Sequence, residues 1–92
     1  MESTDSPHKI QYFRWEKFCG PKHVKYYEAR IEQDLFGEWI VMCRWGRVNT
    51  KLGNRKCVGF GDYVCLEKEI IKIHKRRLSH EYALITGAIP TI

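Results

Sequence analysis

The tetrapeptide Arg44-Trp45-Gly46-Arg47 brings together the residue types best suited to do chemistry in this chain. An indole can stack on a sugar or a base, and a neighbouring guanidinium can grip phosphate through its planar fork. Glycine between them lets a backbone come close to a ligand. The motif lies in a stretch, residues 39–61, that contains no acid, and the same stretch holds Lys51, Arg55 and Lys56. A second basic segment, 68–77, contributes Lys72, Lys75 and Arg76. Residues 44–77 hold ten Lys and Arg against three Asp and Glu, whereas residues 1–43 hold six against seven. The formal charge of +5 is therefore concentrated in one part of the chain. Localised positive charge of this kind points to a polyanionic partner, most simply nucleic acid. The competing reading of Trp45 is a core residue whose neighbouring glycine relieves crowding.

Other chemistries find less support. His8, His23, His74 and His80 have no Ser, Cys or carboxylate at a recognisable catalytic spacing, and Gly59-Phe60-Gly61 lacks the Lys-Ser/Thr ending of a phosphate loop. Cys19-x-x-x-His23 is half of a zinc site, but Cys57 and Cys65 are eight apart and there is no Cys-x-x-Cys pair. Cys43 and Cys65 read as small buried hydrophobes. The expectation is a chain that is not an enzyme, with no catalytic residue, no metal and no cofactor. No apolar run approaches the roughly 18–20 residues of a membrane span, and residues 1–7 include acids and no apolar stretch. A cytoplasmic protein with reduced cysteines and no membrane association is expected, nucleoid-associated if the source is bacterial.

Hydrophobic periodicity indicates what must position these residues. Residues 10–19 alternate, with Phe13 and Trp15 opposite Tyr12, Arg14 and Glu16. Residues 24–33 alternate again, Tyr27, Ala29 and Ile31 against Tyr26, Glu28, Arg30 and Glu32, and residues 34–37 form a hairpin turn with Gly37 at positive φ. The segment 38–48 is apolar on both faces, which predicts a central strand covered on both sides. A loop at 49–54 leads to a short strand at 55–60. Asp62 stands as helix N-cap, and Leu66, Ile70, Ile73 and Arg77 recur at helical spacing through 63–80, with His74 widening the stripe. At 43% hydrophobic residues the chain can form a core. The expected fold is α+β: a small antiparallel sheet of about four strands with one long helix packed on one face. Residues 1–8 read as a flexible lead, 9–82 as a single domain, and 83–92 as an irregular tail.

The run from Trp39 to Val48, with Tyr26 to Ile31 before it and Lys56 to Phe60 and a helix after it, resembles the WGR domain, a family named for its Trp-Gly-Arg triplet. The resemblance covers roughly residues 10–80. WGR domains occur in poly(ADP-ribose) polymerases, where they bind DNA at strand breaks, and as small bacterial proteins. The resemblance implies that Trp45 packs against a sugar at a DNA end and that Arg47 anchors phosphate or a neighbouring domain. Asn49 departs from the family pattern, which often has glycine there. The transferase activity does not carry over, since this domain fills the chain. The expected function is a nucleic-acid-binding module for DNA, ends or nicks preferred. Trp45 stacks, Gly46 gives access, and Arg44, Arg47, Lys51, Arg55, Lys56, Lys72, Lys75 and Arg76 meet phosphates. RNA is the variant target. A homodimer or a protein partner, without nucleic acid, is the alternative.

Overall fold

The computed structural model describes residues 9–51 and 53–91, so the expected lead at 1–8 lies outside the described residues. The elements are β1 (Gln11–Gly20), β2 (His23–Gln33), β3 (Trp39–Arg47), β4 (Gly53–Phe60), α1 (Tyr63–Ser79) and β5 (Ala83–Thr86). The strands form one sheet of order β4-β3-β2-β1-β5, and every pairing is antiparallel. The sheet thus has five strands where about four were expected. The additional one comes from the stretch 83–92, which begins as a regular strand instead of an irregular tail. After α1 the chain turns through Glu81 at φ 69°, and β5 runs back along the free edge of β1.

The β2–β3 hairpin closes as its residues dictate. Gly37 takes φ 82°, and the Asp34 carboxylate accepts hydrogen bonds from the backbone N–H groups of Phe36 and Glu38 at 2.8 and 2.9 Å. Gly61 at φ 114° ends β4. Asp62 occupies the N-cap position and its carbonyl accepts from the Leu66 N–H, but its side chain makes no capping hydrogen bond.

Alternate strand residues and the helical stripe meet in one core: Phe13 and Trp15 of β1, Ala29 and Ile31 of β2, Val41 and Cys43 of β3, and Tyr63, Leu66, Ile70 and Ile73 of α1. Fully burying side chains of this size contributes roughly 1.5–3 kcal/mol each. Trp15 has no exposed surface, and its indole N–H donates to His74 Nδ1 at 3.0 Å. That satisfies the one polar atom the tryptophan buries, and it gives His74 a structural task.

Two expectations about burial change. β3 lies second from an edge and β2 is central. Ile40 is buried and Met42 half-buried with no second helix or sheet among the described residues to cover that face, Ile40 pairing opposite Phe60. Cys43 is buried as expected, but Cys65 is exposed.

The face opposite the core carries a polar lattice. Arg14 donates to Glu16 at 2.8 Å and to Glu28 at 2.7 Å, and the Tyr12 hydroxyl donates to Glu28 as well. Burial, and next the hydrogen bond to Glu28, raise the Tyr12 hydroxyl above its ordinary pKa, so it stays a donor. Arg14 also lies 4.9 Å over the Tyr26 ring.

Candidate nucleic-acid interface

Side chains alternate along a strand, so neighbours in the Arg44-Trp45-Gly46-Arg47 motif point to opposite faces. Trp45 pairs with Tyr27 on β2 and stacks on it, ring centroids 5.8 Å apart and planes 13° from parallel. It is half-buried and packs against the core cluster, yet it also lines an open pocket. Trp45 thus contributes to core packing on one side and presents a face to the pocket on the other.

That pocket measures about 430 Å³ and is bounded by Lys25, Tyr27, Trp45, Gly46, Arg47, Arg77 and Tyr82, within the usual range for a small ligand site. Arg77 is its pivot. The guanidinium lies 4.3 Å from the Tyr27 centroid and 5.0 Å from that of Tyr82, and its Nε is buried without a hydrogen-bond partner among the described residues. Cation–π contact with two rings orients the charge, and Arg77 makes no ion pair among the described residues. Arg47 is exposed, and its Nη2 donates to the Lys22 carbonyl at 3.4 Å. Below it the chain turns at Asn49, φ 68°, a conformation that Asn tolerates far better than most residues do. The departure from glycine there therefore leaves the turn intact.

Tyr27 and Arg77 also line a groove of about 440 Å³ between α1 and β4, where Lys72 and Arg76 stand with Val58, Ile73 and Glu69. Burial, and next the adjacent Cys43, raise the pKa of Tyr27, so its hydroxyl stays protonated.

The expected site residues are therefore brought together in two groups. Trp45, Gly46 and Arg47 line the pocket, and Lys72 and Arg76 the adjoining groove. Arg44, Lys51 and Arg55 line a separate hollow on the opposite face of the sheet. Lys56 and Lys75 are exposed and line none of these concavities. Sequence reading missed Lys25, Tyr27, Arg77 and Tyr82. Arg77 did leave a signal, a cation on the apolar stripe one turn after Ile73. No group of His, Cys, Asp and Glu suited to a metal occurs among the described residues, and no described helix is long and apolar enough to cross a membrane.

A five-stranded antiparallel sheet with one helix, bearing an indole and an arginine among tyrosines in an open pocket, defines a small α+β binding domain. Residues 12–87 match the WGR domain family, and the chain belongs to that family, known as a nucleic-acid-binding module in poly(ADP-ribose) polymerases. The matched span ends at Gly87, so β5 is part of the domain. Comparison with curated proteins and with solved structures gives no match.

Proposed function

We propose that this domain binds DNA, ends and nicks in preference to continuous duplex, through the face that carries Trp45, and that it does so without catalysing a reaction. The observation that carries this reading is the convergence of Trp45, Lys25, Arg47 and Arg77 on one open pocket. A sugar or base covers the indole, while Arg47 and Lys25 meet the flanking phosphates. Arg77 is held between its tyrosines before any ligand arrives, so little side-chain entropy is lost on binding. Lys72 and Arg76 extend the contact along the groove, and Lys56 and Lys75 add long-range attraction at its flanks. In a continuous duplex each base face is covered by its neighbour. An end or a nick exposes a terminal nucleotide to the indole, which is the source of the preference.

Anisotropy titrations with blunt, nicked, closed circular and single-stranded DNA, and with RNA, test the proposal at several salt concentrations. Affinity should fall linearly with salt on a log–log plot and rank nicked and blunt DNA above closed circles. No anisotropy change at low salt with any of these refutes it. One observation favours a protein partner instead: Leu35, Phe36 and Phe60 are 98, 89 and 76% exposed at the hairpin end of the sheet. Association through those residues would be nearly insensitive to salt.

A further inference from the structure

We propose that the face of the sheet opposite Trp45 carries a second phosphoryl-binding site, formed by Arg44, Arg55 and Lys51 beside the Tyr26 hydroxyl. The site is set by strand register. One row across the sheet runs Glu28, Arg44, Arg55, and the next runs Tyr26, Gly46, Gly53. In the second row two glycines lie beyond Tyr26, and the tyrosine reaches across them. Its hydroxyl is 3.1 Å from where a Cβ on Gly53 would stand. The result is a hollow of about 360 Å³ lined by Tyr26, Arg44, Lys51, Gly53, Asn54 and Arg55.

In the first row two arginines are direct cross-strand partners. Like charges opposite each other destabilise a sheet. Neither arginine has an ion pair or hydrogen bond among the described residues, and the acid in the row, Glu28, is occupied by Arg14 and Tyr12. Three cations around a hollow with a hydroxyl at its side suit a multiply charged tetrahedral oxyanion. Two guanidinium forks can each take a pair of its oxygens. A single carboxylate would leave positive charge uncompensated. The phosphoryl group is supplied either by a nucleic-acid strand or by a free phosphate ester. Because Arg44 and Trp45 point to opposite faces, this site is independent of the Trp45 pocket, and either can be present without the other.

The test is two-dimensional NMR of the isotopically labelled full chain at constant ionic strength set with chloride. One arm is titrated with inorganic phosphate and the other with a 5′-phosphorylated duplex. Saturable shifts are expected at the amides of Gly53, Asn54 and Arg55 and at the Nε–H resonances of Arg44 and Arg55. Shifts in the phosphate arm alone identify a free phosphate ester as the source, and shifts in the duplex arm alone identify the strand. Trp45→Ala should leave these shifts in place. The double substitution Arg44→Gln with Arg55→Gln should weaken them at least tenfold while the melting temperature holds or rises, because a repulsion has been removed. Absence of saturable shifts in both arms, or shifts that survive the double substitution, overturns the proposal. So does a clear fall in melting temperature on that substitution, which would make the two arginines structural.

Discussion

Replacing Trp45 by Ala separates its two roles, because the structure assigns each a different size and a different readout. Truncating a fully buried Trp costs about 3–5 kcal/mol. Trp45 is half-buried, which brings the packing loss to about 2 kcal/mol, and losing its stack on Tyr27 adds about 0.5–1.5 kcal/mol. The sum, about 2.5–3.5 kcal/mol, lies below the roughly 5–14 kcal/mol expected for a domain of this length. The variant should therefore fold, with a melting temperature lower by about 10–28 °C when followed by far-UV circular dichroism. Binding at ends and nicks should weaken by about 1–3 kcal/mol, or about 5- to 150-fold, since the stacking platform is gone. Affinity for closed circular duplex, which rests on phosphate contacts, should change less than about twofold, with its salt slope unaltered. Trp45→Phe keeps an aromatic on Tyr27 and should recover most of the stability. Equal losses on nicked and closed circular DNA would refute the stacking role. Loss of the native fold would mean that Trp45 serves the core alone.

Further outcomes follow from the same geometry. Gly87→Ala should destabilise the domain by about 2–4 kcal/mol in thermal denaturation, because φ is +101° there and a Cβ would lie 2.6 Å from the Tyr12 carbonyl oxygen and 2.8 Å from the Phe13 ring; a change within 0.5 kcal/mol would show that β5 is not held at this point. His74→Ala should cost about 1–3 kcal/mol by leaving the buried Trp15 N–H without its acceptor, and a double-mutant cycle with Trp15→Phe should show coupling between the two. Burial pushes the Cys43 thiol up to about 11, so a thiol reagent at pH 8 should modify Cys19, Cys57 and Cys65 quickly and Cys43 only on unfolding. The protonated thiol is the form that folding favours; stability that is complete below pH 9 should thus be lost as the pH rises toward 11, and should fall less steeply there in Cys43→Ala, where only the raised Tyr12 and Tyr27 hydroxyls still contribute. Arg77→Met keeps the stem between Tyr27 and Tyr82 but removes the charge, and should shrink the salt slope of DNA binding by about one while leaving the melting temperature within a few degrees.

Those parts of the fold whose burial is periodic were legible in the sequence. Phe13 and Trp15, Ala29 and Ile31, and Leu66, Ile70 and Ile73 are core residues because alternation and helical spacing each place them on one face. β4 starts earlier than expected, at Gly53, because Gly53 and Asn54 lack strand propensity and are held by pairing with Gly46 and Trp45. β5 was missed for a related reason. Its four residues are largely exposed, with only Leu84 packed against the core, and Gly87 and Pro90 beyond them look like the punctuation of a loop. What adds this strand is the open edge of β1, a tertiary feature that no local pattern records.

The site shows how a one-dimensional motif misleads in a consistent way. Arg44 and Trp45 are adjacent in sequence, and a basic stretch invites the inference that its members act together. In a strand adjacency means opposition, so the sheet itself separates them. Residues two or more apart, or on other strands, are the real neighbours: Trp45 with Tyr27 and Arg47, and Arg44 with Arg55. The aromatic that carries the proposed stacking and the arginine pair that carries the proposed second site therefore answer to different substitutions. If Trp45→Ala and the double Arg-to-Gln change proved to affect the same ligand by the same factor in every assay, the separation of faces would have no functional meaning. Additive and independent losses are what two sites on two faces require.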